Sequence, residues 1–97
     1  VADSFSPELT VPYAEVPGLP PSKVPGHAGR FVLGRLPASG APVVIAQGRS
    51  HLYEGLTAAE VTAGVRFLAS ELGVQRLVLT NAAGAIDPTF HVGGLML

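Results

Sequence analysis

The chain of 97 residues contains no cysteine, which excludes a disulfide framework, a thiolate nucleophile and any thiolate metal site. Charge is scarce as well, since 13% of the residues are Asp, Glu, Lys or Arg, about half the ~25% usual for soluble domains. Six Lys and Arg against seven Asp and Glu leave a formal charge of -1. A nucleic-acid partner is not expected, because the basic face that displaces counterions from phosphates is missing. Any anion the chain binds must be small and held locally. No run approaches the ~18 apolar residues of a membrane span, and Val1-Ala2-Asp3-Ser4 has neither the basic region nor the apolar stretch of a signal peptide. No membrane partner is expected, and the cytoplasm is the default compartment.

What the chain does have is apolar surface: 47% of its residues are hydrophobic and its mean hydropathy is +0.42. Its length suits one core and one domain, residues 1–97, since a domain normally takes ~100–200 residues. For so small a chain, whose surface is large relative to its volume, that hydropathy points to part of a larger body.

Twelve glycines and nine prolines punctuate the sequence. Pro17, Pro20, Pro21 and Pro25 crowd the stretch from Pro17 to Arg30 with Gly18, Gly26 and Gly29 between them. Each proline fixes φ and biases the residue before it, so this reads as an ordered loop and not a flexible linker. Before it, Thr10 to Val16 suits a short edge strand, the place where Pro12 does least damage. After it, Arg30–Leu36 and Pro42–Gln47 flank a turn over Pro37–Ala41, the pattern of a β-hairpin. The second strand is apolar on both faces, as in a strand buried inside a large sheet.

Thr57-Ala58-Ala59-Glu60 is a capping box. Val61, Val65, Leu68 and Leu72 then form one apolar stripe, and Gly73 stands where a glycine ends a helix. The pattern predicts a helix from about Ala58 to Leu72, then a short buried strand over Arg76–Thr80 and another beginning at Gly93. Strand, helix and strand in that order predict a right-handed crossover and an α/β fold.

In open α/β sheets ligands bind beyond the carboxyl ends of strands, and two segments take that position. The first runs from Gln47 to Gly55. An extended backbone there puts Arg49, His51 and Tyr53 on one side: a planar fork of donors, a ring that donates or accepts, and an aromatic face with a hydroxyl. Such a set suits a phosphate beside a sugar. The same residues also fit a plainer arrangement in which Arg49 pairs with Glu54, His51 is satisfied within its loop and Tyr53 is core. The second segment is Thr80-Asn81-Ala82-Ala83-Gly84, whose side chains are too small for acid–base work. A backbone that approaches a ligand closely uses such residues and offers its N–H groups to an anion, although a small-residue turn under a helix looks the same. His27 belongs to the glycine-rich loop, and His91 reads as surface. No His, Asp or Glu cluster has metal-ligand spacing, no dinucleotide or Walker pattern is present, and Ser50 has no nucleophile-elbow context.

Together, Val24-Pro25-Gly26-His27-Ala28-Gly29-Arg30, Gln47-Gly48-Arg49-Ser50-His51-Leu52-Tyr53-Glu54-Gly55 and Thr80-Asn81-Ala82-Ala83-Gly84 resemble the trimeric purine nucleoside phosphorylases in order and spacing. The resemblance runs essentially end to end, yet covers only about the first third of a family member. It implies a mixed β-sheet with flanking helices, seen here as an N-terminal part. It further implies phosphorolysis of purine ribonucleosides or deoxyribonucleosides to free base and pentose 1-phosphate, in nucleoside salvage. No cofactor is implied, inorganic phosphate being a co-substrate, and the whole protein is expected to be a homotrimer.

Carried over by residue, the resemblance implies that Arg49, His51, the backbone around Ser50, His27 and the Ala82 N–H hold phosphate. Tyr53 would bind the ribose, and Ala83 and Gly84 would line the floor beneath the nucleoside. No residue of this chain is assigned the protonation of the leaving base. Those acidic and amide groups belong to the family's C-terminal half, and a Gly-Ser-Gly-Leu phosphate loop is expected just upstream of Val1. The isolated 97 residues are therefore expected to be inactive. Ser50 stands where the family usually has Phe, Ala85 where it has Gly, Ala63-Gly64 where Phe-Pro is common and Gly94 where Asp is frequent. A methylthioadenosine phosphorylase is the rival with the same chemistry, but its motif usually reads Arg-His-Gly. A fragment that binds phosphate or assembles without turnover is the rival of another class.

Overall fold

A computed structural model of the chain describes residues 5–21 and 24–97. Strands β1 (Pro7–Pro12), β2 (Arg30–Arg35) and β3 (Pro42–Gln47) form a three-stranded sheet in the order β1-β2-β3, both pairs antiparallel. Helix α1 (Ala58–Ser70) follows, and single 3-10 turns occupy Tyr13–Glu15 and Leu52–Glu54.

The β2–β3 hairpin forms where the turn residues place it. Leu36 N–H donates to Ala41 O at 2.9 Å, and Gly40 takes φ +67° at the turn, a conformation that costs a residue without Cβ little. The register then runs from Arg35 opposite Pro42 to Arg30 opposite Gln47. The edge strand β1 lies three residues earlier than the sequence pattern suggests, and Tyr13–Glu15 turns away as a 3-10 turn once Pro12 has ended the ladder.

The capping box closes as expected: Thr57 N–H donates to Glu60 Oε2 at 2.8 Å, and Glu60 N–H to Thr57 Oγ1 at 3.2 Å. At the other end Gly73 has φ +63°, and Val74 N–H donates to Leu68 O at 3.0 Å. The left-handed glycine thus turns the chain back over the last turn of the helix, where that N–H meets a carbonyl six residues earlier.

The core gathers Tyr13, Val16, Phe31 and Leu68, with Val11, Leu19, Leu33, Val44, Phe67 and Val74 packed around them. Phe31 is 2% exposed; its ring meets Tyr13 at 4.7 Å and stacks on Phe67 at 5.6 Å. The helix thus turns Phe67, Leu68 and Gly64 to the sheet, while Val65 and Leu72 of the expected stripe remain exposed. Gly64 faces Leu19 and Phe31, and a Cβ there would make ordinary contacts with both, at 3.4 and 3.9 Å.

Three expectations are corrected. β3 is an edge strand with half-buried side chains and not an interior strand. Arg76–Thr80 and the segment from Gly93 are not strands, and no parallel crossover forms among the described residues. The reason is common to all three: a strand exists only against a neighbour's N–H and C=O groups, and no described strand lies beside these segments. The α/β character is therefore present as a small antiparallel sheet with one helix on it. No helix among the described residues is long and apolar enough to cross a membrane.

Candidate functional site

The loop before β2 and the segment after β3 meet because Gly29 N–H donates to Gln47 O at 2.8 Å, continuing the ladder one step beyond the strand ends. Directly after Gln47, Gly48 adopts φ +125°. A Cβ on it would sit 3.0 Å from His27 Cβ and 3.4 Å from Gly29 N, so only glycine serves both the backbone and the close approach of His27.

His27 comes to rest beside the motif. Its Nδ1 accepts from Arg49 N–H at 3.3 Å, which in the neutral ring puts the proton on Nε2. The His27 and His51 rings lie 5.7 Å apart, and His51 stacks on Tyr53 at 4.6 Å and 19°. His51, half-buried, is oriented by Glu54: the carboxylate Oε1 accepts from His51 N–H at 2.7 Å and lies 2.9 Å from His51 Nδ1. A carboxylate only accepts, so Nδ1 carries the proton and Nε2 is left to face a ligand. The His51 hydrogen bond is also the main reason the Glu54 carboxyl lies below its usual value.

Arg49 is exposed, and its Nη1 donates to Thr80 O at 3.4 Å. This is the link between the two candidate segments. Ser50 is buried at 9% exposure. A cleft of about 590 Å3 opens beside it, lined by residues 49–53, by Val61, Thr62 and Val65 of α1, and by Leu79. Its walls are largely apolar, with Arg49 and His51 among the lining residues.

The plainer arrangement is realised in one part of three. His51 is satisfied within its loop, whereas Arg49 does not pair with Glu54 and Tyr53 is 75% exposed. The alternation that aligns 49, 51 and 53 survives through His51 and then tightens into the 3-10 turn at Leu52–Glu54, which brings Tyr53 against His51. Ala82, Ala83 and Gly84 lie in an exposed segment without helix or strand, and their backbone does not line the cleft. His91 is exposed. Sequence reasoning did not single out Glu54 as the partner of His51, or Gly48 as the residue that admits His27. The three-residue spacing from His51 to Glu54 was a readable signal for the first; for the second there was none, because it depends on a loop 21 residues upstream.

A His27 Nε2–H donor and the His51 Nε2 edge lie near one strand end with an exposed aromatic ring beside them, and the Arg49 guanidinium, turned to Thr80 O, belongs to the same segment. Donors of this kind are of the chemistry that pairs with anions. Among the described residues no group of three His, Asp or Glu side chains is placed to hold a metal ion.

The sequence profile of the phosphorylase superfamily matches residues 2–97. Purine nucleoside phosphorylase 1 of Geobacillus stearothermophilus is 44% identical over 97 residues, covering 100% of this chain and 34% of that protein. The purine nucleoside phosphorylase of Bos taurus is 51% identical over 88 residues, 91% of this chain and 29% of that protein. Purine nucleoside phosphorylase 1 of Bacillus subtilis is 42% identical over 97 residues, 100% of this chain and 35% of that protein. The chain spans about a third of the length of these curated relatives.

Proposed function

Because the chain belongs to the phosphorylase superfamily, we propose that the whole protein is a pentosyltransferase that cleaves purine ribonucleosides or deoxyribonucleosides with inorganic phosphate. The products are the free base and pentose 1-phosphate. The observation that supports this reading is that the His27 and His51 rings lie 5.7 Å apart after β3, with the Arg49 N–H on His27 and Tyr53 stacked on His51. The relatives named purine nucleoside phosphorylase supply the substrate class.

In this reading the Arg49 guanidinium leaves the Thr80 carbonyl for two phosphate oxygens, a stronger charge-assisted pairing. His27 donates from Nε2. His51, held at Nδ1 by Glu54, either donates from a protonated Nε2 or accepts a phosphate O–H there. The backbone at Ser50 and the Ala82 N–H complete the anion's shell. Tyr53 packs its exposed ring against the pentose, and Ala83 and Gly84 let the nucleoside lie close above the backbone.

Cleavage of an N-glycosidic bond builds oxocarbenium character on the sugar, as in glycoside hydrolysis. A phosphate fixed against the anomeric carbon stabilises that charge and forms the new C–O bond as the C–N bond breaks. Fixing it also turns a bimolecular encounter into a positioned one. The leaving base takes its proton from groups outside these 97 residues. The reaction needs no cofactor beyond phosphate as co-substrate, and we place the whole protein in the cytoplasm as a homotrimer in purine salvage.

The test is release of hypoxanthine from inosine with and without phosphate. The whole protein is expected to release it only with phosphate, and residues 1–97 alone to release none. Equal release without phosphate, or none with it, overturns the reading.

A further inference from the structure

Two loops supply the side chains of the site, and each has local bonds of its own, His27 N–H to Val24 O at 3.1 Å in one and Glu54 to His51 in the other. His27 lies in the loop before β2, whereas Arg49 and His51 follow β3. Tyr13, from a third segment, contacts both. Tyr13 is 4% exposed and its ring packs on Phe31 at 4.7 Å, so the core sets its position. From there its N–H donates to Gly29 O at 2.8 Å, on the His27 side. Its hydroxyl donates to Gly48 O at 2.6 Å, on the Arg49 side.

The residue after Gly48 is Arg49, whose N–H reaches His27 Nδ1. Moving Gly48 therefore moves the backbone from which Arg49 and His51 project, and alters its distance to His27. The tolerance is small, because Gly48 already lies against His27 with no room for a Cβ. Burial pushes the Tyr13 phenol up to about 12, so the hydroxyl remains a donor across the neutral range.

We propose that Tyr13 is a positioning residue of the phosphate site: its hydroxyl bond to the Gly48 carbonyl holds the end of β3 so that Arg49 and His51 face the same anion as His27. The proposal rests on the phosphorolysis reading. It adds a residue that touches neither phosphate nor nucleoside and acts through the backbone of one that neighbours the anion.

Tyr13→Phe keeps the ring in the core and removes only the donor. In the whole protein it is expected to raise the KM for phosphate about tenfold, since small misplacements of binding groups are costly, while the KM for inosine stays within about twofold. Hydrogen exchange at the Arg49 amide is expected to quicken in the same variant. Val32→Ala is the comparison for a purely structural loss: Val32 is buried at 5% on β2 and makes none of these loop contacts. It should lower the thermal midpoint without changing either readout. Phosphate KM within about twofold of the parent in Tyr13→Phe, unchanged exchange at Arg49, or an equal rise in Val32→Ala overturns the proposal while leaving phosphorolysis standing. An unsubstituted whole protein without phosphate-dependent cleavage instead overturns the reading beneath it, and the proposal with it.

Discussion

Residues 5–70 and residues 71–97 carry similar apolar runs and reach different ends. Val43-Val44-Ile45 and Leu77-Val78-Leu79 are both short, aliphatic and preceded by a turn signal. The first pairs residue by residue with β2 across a tight turn. The second follows a helix, forms no strand, and leaves Val78 85% exposed and Leu79 65% exposed. A hairpin strand finds its partner a few residues away, whereas a strand after a helix needs an edge brought to it from far along the chain. The lesson extends to the site. His27, Arg49 and His51 belong to the paired region and are oriented by bonds to neighbours. Ala82, Ala83 and Gly84 belong to the unpaired one, whose contacts with the site come from earlier in the segment, where Thr80 O accepts from Arg49 and Leu79 lines the cleft.

The contrast can be broken most strongly at its packed side. Phe31→Ala removes the least exposed ring of the core and is expected to cost about 3–5 kcal/mol; a denaturant midpoint within error of the parent would show that the core lies elsewhere. Next is Arg49→Ala, which removes one charge-assisted pair worth roughly 1.5–3 kcal/mol. It should raise the phosphate requirement of the whole protein roughly tenfold to a hundredfold, and unchanged phosphate kinetics would remove Arg49 from the site.

A smaller effect tests the hold on His51. The Glu54 carboxyl lies below its usual 4.5 because of its bonds to His51. A depressed carboxylate contributes stability above its unfolded value and loses it as pH falls through the folded value. The thermal midpoint of Glu54→Gln should therefore lie below the parent's at pH 6 and converge with it as the solution becomes more acid than 4.5. A gap that persists or widens in acid contradicts the His51–Glu54 link. The smallest effect belongs to the unpaired side. Val78→Ala in the 97-residue chain should stay within about 0.5 kcal/mol of the parent. In the whole protein, where a neighbouring strand is expected to cover Val78, two lost carbons are worth about 1–2 kcal/mol. Equal effects in both would remove the difference between the two regions.

Much of the packed region was legible because its signals are local. Pro37–Ala41 marks the hairpin, Thr57 and Glu60 mark the helix start, and Gly73 marks its end. Each acts within a few residues, and each is found in place. The residues after β3 were legible in part for a related reason: alternation covers 49 and 51, whereas Tyr53 reaches His51 through the 3-10 turn at Leu52–Glu54. The helix face was read in part: Leu68 of the stripe is buried in the core, but Val65 and Leu72 are exposed, and the sheet takes Phe67 instead, which stacks on Phe31.

The 97 residues by themselves determined where chain direction changes, which segments are apolar and which chemical groups follow each strand. Those properties reside in single residues or in pairs a few positions apart. Only tertiary structure decided that β3 is an edge, that Gly48 must admit His27, and that a buried tyrosine 35 residues upstream bonds to the Gly48 carbonyl. Each of these depends on two distant segments meeting at hydrogen-bond or van der Waals distance. No local pattern encodes that meeting, because it exists only once the core around Phe31 has closed.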